Sequence, residues 1–208
     1  MANVLEKVTA FVVRIHRDEH QLLLFEHPTA GIQVPAGTVE AGEAPATAAL
    51  REAQEETGLA EFTGCHYLAT TQDRLAEDEQ VIFQTTPIYG RPAADAIVWA
   101  TLRNGLRVKV VRQQDSFTQV TYQEYDRVPD PTYVSLSITG WAPASALATM
   151  QVRHFYLLPF AGASAARWQV HNDHYWFTLF WAPLHQLPPL VPPQQPWLSY
   201  IERYFNID

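Results

Sequence analysis

The sequence has a single cysteine, Cys65, in 208 residues. No internal disulfide can form, which fits a reducing compartment such as the cytoplasm. Cys65 itself reads as a small buried hydrophobe rather than a reactive thiol. Positive charge is also scarce, with 14 Lys and Arg against 22 Asp and Glu and a formal net charge of -8. Nucleic-acid phosphates and anionic lipid surfaces repel such a chain, so neither is an expected partner. Charged residues of both signs reach only 17%, while 47% are hydrophobic, which excludes a disordered or solvating composition. Uninterrupted apolar runs fall far short of the ~20 residues of a membrane span. The first residues, "MANVLEKVTAFVVRIHRDEH", place an acid before the first apolar run and lack a cleavage-site pattern. No signal peptide is expected from them, and the chain reads as soluble and cytoplasmic.

Sustained repeats are missing too, and what remains is β-rich. "VTAFVVRIH" (8–16) and "HQLLLFEH" (20–27) read as a hairpin around a charged turn, and "GIQVPAG" (31–37) as a short strand ending in punctuating residues. Residues 45–57 read as a helix, with Pro45 at its first position and Gly58 at its left-handed end. Ala44 stands where a capping Ser, Thr or Asp is usual. Strands are expected over 62–71 and 80–90. The interval 86–149 then changes to short alternating strands and turns, the texture of a compact β-barrel. The last part holds "VRHFYLLPF", "DHYWFTLFWAPL", a proline-rich link and an amphipathic helix, "WLSYIERYF".

The helix over 45–57 carries an unusual charge pattern. Residues three and four apart share a helix face, so Glu52, Glu55 and Glu56 fall within an arc of roughly 100°. Ala46, Leu50, Ala53 and Thr57 form a separate seam of mostly small residues. A solvated face normally interleaves bases with acids, whereas here only Arg51 is near, placed to reach Glu55. A partly shielded pair of carboxylates at ~6 Å would cost on the order of 2–3 kcal/mol, against about 0.2–0.5 kcal/mol in water. A hard divalent cation removes that cost, because it takes carboxylate oxygens. Metal binding and a solvated face are the two readings of the spacing, and metal binding accounts better for the missing bases.

The surrounding residues fit G-x5-E-x7-R-E-U-x-E-E-x-G-U, with U apolar, at Gly37, Glu43, Arg51, Glu52, Ala53, Glu55, Glu56, Gly58 and Leu59. Seven fixed types at ~6% usage would recur by chance with a probability on the order of one in a million. The segment resembles the complete signature box of the Nudix hydrolases, and the preceding "VPAG" is similar to that family's strand-to-loop approach. The resemblance implies a loop–helix–loop that binds Mg²⁺ or Mn²⁺ and hydrolyses a diphosphate within a nucleoside diphosphate linked to another moiety. Glu52, Glu55 and Glu56 match the metal-binding acids, with the backbone carbonyl of Ala36 or Gly37 as a further ligand. Gly37, Glu43, Arg51 and Gly58 match positions that brace the frame, and Arg51 belongs with the three acids to the catalytic group. The general base is either Glu52 or an acid outside the box. The acids Glu77, Asp78 and Glu79 form a run of the kind that usually faces solvent.

The implied fold is α/β, a Nudix-type mixed β-sheet flanked by helices, formed by residues 1–85 and 150–208. "DHYWFTLFWAPLHQL" resembles the family's later strand ending in Trp and a Pro-Leu pair. Residues 86–149 resemble a bacterial Src-homology-3-like barrel, with Gly140–Trp141 before its last strand, inserted between the two halves. An extended excursion of the Nudix sheet is the alternative. In "VHNDH" (170–174), His171, Asp173 and His174 are candidate substrate contacts, although a solvated turn is the simpler reading. Trp141, Trp168, Trp176 and Trp181 read first as core residues and second as stacking surfaces for a base. The expected partner is a small-molecule diphosphate, and a homodimer is left open. A non-catalytic Nudix protein that binds a ligand and signals through the inserted barrel is the rival, as is a protein-interaction module built on that barrel.

Overall fold

The computed structural model describes residues 3–127, 130–172 and 175–207. The chain divides into two compact units. One comprises Lys7–Thr70, Arg127–Asp130 and Arg153–Asp208; the other comprises Met1–Glu6, Thr71–Asp126 and Pro131–Val152. In chain order the elements are β1 (Val4–His16), β2 (Glu19–His27), β3 (Gly31–Gln33), β4 (Ala36–Thr38), α1 (Pro45–Thr57), β5 (His66–Arg74), β6 (Glu79–Ile82) and β7 (Thr86–Tyr89). They continue with β8 (Val98–Leu102), β9 (Arg107–Gln114), β10 (Phe117–Tyr125), β11 (Val134–Pro143), β12 (Leu147–Ala148), β13 (Met150–Pro159), β14 (Arg167–Asn172), β15 (Tyr175–Pro183) and α2 (Leu198–Phe205).

The sheet of the unit that carries the box runs β14-β15-β2-β1-β13-β5, with β3 beside β2 and β4 beside β1. Its hairpin turns on Arg17 and Asp18, both at positive φ (52° and 64°), between the paired residues His16 and Glu19. Two left-handed central residues make the tight reversal that matches strand twist. Both faces of the central strands β1, β2 and β13 are buried, which explains the unbroken apolar run Leu22–Phe25. Val8, Ala10, Val12, Leu23 and Phe25 pack with Ala48, Ala49 and Ala53 of α1. Phe11, Val13, Leu22 and Leu24 pack on the other side with Leu198 and Ile201 of α2.

The helix over 45–57 forms as expected, with Pro45 in its first turn and Gly58 left-handed at φ 71°, its N–H donating to the Gln54 carbonyl. Its buried seam is centred on Ala48, Ala49, Ala53 and Thr57, with Ala46 and Leu50 on the flank. "GIQVPAG" is not one strand. Pro35 has no N–H to give, and the chain changes partner there, β3 pairing β2 and β4 pairing β1.

In the second unit seven strands form a sheet in the order β12-β6-β9-β10-β11-β7-β8, an open path rather than a closed ring among the described residues. Ile82, Ile88, Leu102, Val108, Val120, Ala142 and Leu147 fill its core. The expected strand over 80–90 is split, because β6 pairs β9 and β12 whereas β7 pairs β8 and β11. Gly140 is required by closeness: an added Cβ would stand 2.5 Å from Ile88 Cγ2 and 2.9 Å from the Tyr89 carbonyl oxygen. Among the described residues no helix is long and apolar enough to cross a membrane.

Candidate functional site

Strand β1 forks, and the fork builds the site. Its outer end, Val13–His16, pairs with β2, while Lys7–Thr9 pairs with Thr38–Ala36 of β4. Strand β4 thus lies beside β1 and in contact with α1. The Ala36 N–H donates to Glu56 Oε2 (3.0 Å), and the Thr38 N–H donates to Glu52 Oε1 (3.2 Å). Between them Gly37 has no side chain, and the Glu52 carboxylate occupies the space: an added Cβ would stand 1.8 Å from Glu52 Cδ. The two acids are therefore held by backbone amides at the loop that leads into the helix.

Arg51 organises the remaining acids. Its Nε and Nη2 donate to Glu43 Oε1 and Oε2 (3.0 and 2.9 Å), the two-pronged geometry that a guanidinium makes with a carboxylate. Nη2 also reaches the Thr38 carbonyl (3.0 Å), and Nη1 donates to Glu52 Oε1 (2.9 Å) and Glu55 Oε2 (3.2 Å). Spacing along the helix led only to Glu55, because Glu43 approaches from the loop and Glu52 turns back toward β4. The Arg51 guanidinium beside Glu43 holds that carboxyl below its ordinary range. Glu52 is pushed the other way, chiefly by burial, with Arg51 and the Thr38 amide acting against it. Arg51 is held protonated far above any working pH, first by Glu43.

The donor chemistry here fits a hard cation, since Glu52, Glu55 and Glu56 all offer carboxylate oxygens. Among the described residues, however, no three His, Cys, Asp or Glu side chains converge as a ready metal cluster. The cation between Glu52 and Glu55 is the Arg51 guanidinium.

His171 lies in β14 rather than in a turn, with its ring 5.1 Å from Trp176. Asp173 and His174 lie outside the described residues. Trp168 and Trp181 pack in or against the core, and Trp168 Nε1 donates to the Thr57 carbonyl at the end of α1. Trp176 is 59% exposed. Sequence reasoning did not single out His27, a partly buried histidine at the end of β2. Its Nδ1 accepts the N–H groups of Thr29 (3.2 Å) and Ala30 (3.1 Å), which places the proton of the neutral ring on Nε2. Burial lowers its pKa, and its ring contacts Tyr175 (4.7 Å) and Phe177 (5.2 Å). The one sequence cue was a histidine before the turn "PTAG".

Residues 5–95 match the family model of the NUDIX domain. A solved structure of the NUDIX domain of Shewanella oneidensis NrtR complexed with ADP ribose aligns over 99% of this chain and 90% of that one, at 13% identity and a TM-score of 0.50. A C. elegans Ap4A hydrolase aligns over 98% of each chain at 13% identity and a TM-score of 0.43. A MutT protein from Methanosarcina mazei Go1 aligns over 98% of this chain and 96% of that one, at 14% identity and a TM-score of 0.41. At such identities the likeness to the first of these is one of fold. No curated protein matches the chain.

Proposed function

We propose, from the premise that this chain is a Nudix-family protein, that it hydrolyses a diphosphate linkage in a nucleoside diphosphate joined to another moiety. The observation that carries this reading is the intact box folded as one unit: Glu52 and Glu56 sit on the amides of Thr38 and Ala36, and Arg51 ties Glu43 to the same frame.

Glu52, Glu55, Glu56 and the carbonyl of Ala36 or Gly37 would hold Mg²⁺ or Mn²⁺. The bound metal would neutralise charge on the phosphoryl oxygens and acidify a water. Burial keeps the Glu52 carboxyl above the ordinary carboxylate range, which suits a group that must take up a proton from the attacking water. Its Oε1 is engaged by Arg51 and Thr38, so Oε2 is the oxygen fit for that transfer. Arg51 and Glu43 hold the loop and helix in register. His27, with Tyr175, offers a flat surface and one fixed Nε2–H donor to the moiety beyond the phosphates. His171 is a further candidate contact. Residues 86–149 are proposed as a small barrel inserted between Nudix halves 1–85 and 150–208; their strands share an open seven-stranded sheet with β6 (Glu79–Ile82).

The test is a panel of nucleoside triphosphates, sugar nucleotides, dinucleoside polyphosphates and coenzyme diphosphates with Mg²⁺ or Mn²⁺. At least one should release product, and Glu55→Gln and Glu56→Gln should abolish it. Unchanged turnover in both variants sinks the metal assignment. Binding without turnover across the panel would assign the chain to ligand sensing instead.

A further inference from the structure

Ser164 Oγ accepts two hydrogen bonds, one from Arg14 Nη1 (3.1 Å) and one from Trp181 Nε1 (3.0 Å). A hydroxyl oxygen has two lone pairs, so both are used and its own O–H must donate elsewhere. Among the described residues it finds no acceptor. Arg14 is in a similar position. Its Nε donates to Gln21 Oε1 (3.0 Å) and its guanidinium lies 4.2 Å above the Trp181 ring, but no carboxylate among the described residues pairs with it. Burial lowers the Arg14 pKa and no acid offsets it. A half-buried guanidinium without a counter-ion is unusual, because a buried charge is normally paired.

The loop beside these two side chains adds more donors. Residues 161–166 read Ala-Gly-Ala-Ser-Ala-Ala, so little more than a methyl shields the backbone. The N–H groups of residues 162 to 166 have no acceptor among the described residues. A cavity of about 330 Å³ opens here, lined by Arg14, Ile15, His16, Phe160 and, from the loop, residues 161–164 and Ala166. No Asp or Glu lines it. Glu61 approaches Gly162 from the side where a Cβ would project, and Glu19, paired across the hairpin with His16, accepts from Gln21 Nε2 (3.4 Å). The cavity thus presents the Arg14 guanidinium and the Ser164 side chain, with Ile15, Phe160 and small loop residues on the rest of its wall.

The two sites are distinct. Arg14 is five residues along β1 from Thr9, which pairs with Ala36 at the box. At ~3.3 Å per residue the separation is about 16 Å.

We propose that this cavity is a second ligand site that binds a phosphoryl oxyanion, held by Arg14, the Ser164 hydroxyl and the amides of residues 162–164 and 166. A phosphoryl group offers several acceptor oxygens and negative charge, which complements a forked guanidinium and a run of free amides. Inorganic phosphate and a phosphomonoester share this chemistry. The box reaches a phosphoryl group only through a divalent cation, so with EDTA present phosphate binding at this cavity is read apart from the box.

The full chain, ¹⁵N-labelled and kept in EDTA, would be titrated with inorganic phosphate and separately with ribose 5-phosphate, against sodium chloride at matched ionic strength. Saturable shifts of the amides of residues 162–164 and 166 are expected with phosphate and not with chloride. Tighter binding of ribose 5-phosphate identifies a phosphomonoester as the ligand, and equal binding identifies phosphate itself; both support the site. Arg14→Gln should weaken phosphate at least tenfold. Ser164→Ala leaves Arg14 on Trp181 and should weaken it several-fold with the spectrum otherwise intact, which covers the case where Arg14→Gln fails to fold. Glu56→Gln should leave binding unchanged, so loss of hydrolysis and loss of this site are read separately. Shifts no larger than with chloride, or unaltered binding in a Ser164→Ala protein that is merely less stable, would overturn the proposal.

Discussion

The carboxyl carbon of Glu52 lies where a side chain on Gly37 would have to stand, 1.8 Å from an ideal Cβ. Glycine is required at this position by a neighbour rather than by its own backbone angles. The carboxylate, in turn, is held over the loop by the Thr38 amide and Arg51.

Gly37→Ala should therefore displace Glu52 while leaving the chain foldable. A misplacement of about 1 Å at a reacting group can cost ~100-fold in rate, and that is the loss expected in kcat on the best substrate of the panel. Overpacking should cost about 1–3 kcal/mol in urea denaturation. Full activity would mean that the position of Glu52 over Gly37 does not matter to the reaction.

Arg51→Ala removes the partner of two carboxylates that are only 12% and 14% exposed, Glu43 and Glu52. Leaving such acids unpaired should cost on the order of 2–4 kcal/mol in urea denaturation. Arg51→Lys keeps the charge but not the two-pronged contact with Glu43, and should recover less than half of that. A loss below about 0.5 kcal/mol for the alanine variant would reduce this network to a surface feature.

The same two acids should give stability opposite dependences on pH when metal is removed with EDTA. The folded-state pKa of Glu43 is lowered, so the unfolded chain binds more protons below the ordinary value near 4.5. The contribution of Glu43 is present above that value and is lost as pH falls through the folded pKa. The folded-state pKa of Glu52 is raised, so its contribution is complete below about 4.5 and is lost as pH rises through the folded value. Thermal unfolding across pH 3–8 should lose part of its acid-side fall in Glu43→Gln and part of its opposing decline in Glu52→Gln. The same change of slope in both variants would contradict the assignment.

Gly58 ends α1 at φ 71°, and an added Cβ would meet only Val170 Cγ2 at an ordinary 3.6 Å. The cost of Gly58→Ala is thus backbone strain alone, about 1 kcal/mol. Gly58→Asn should cost less than half as much, since asparagine tolerates this conformation. A loss of 3 kcal/mol or more in the alanine variant would mean that packing, not φ, selects glycine.

Local chemistry was legible along the chain. The helix over 45–57 could be bounded from Pro45 and Gly58, because a missing N–H and a left-handed end are properties of single residues. The box was legible for the same reason, its acids lying on one face of a short helix. Strand partners were less legible. "GIQVPAG" and the run over 80–90 look continuous, but each holds two strands with different neighbours, and hydrogen-bonding partners are chosen by distant segments.

The sequence by itself determined which acids share one face of a helix and where that helix begins and ends, because those properties depend on residue type and on spacings of three and four. Only the tertiary structure decided what surrounds them. Glu43, eight residues before Arg51, closes on its guanidinium, and Thr38 and Ala36 offer their amides to Glu52 and Glu56. Far along the chain, Ser164 is brought to Arg14, 150 residues away. No local period encodes such meetings, since they arise when a sheet whose central strands are buried on both faces folds its connecting loops against its own strand ends.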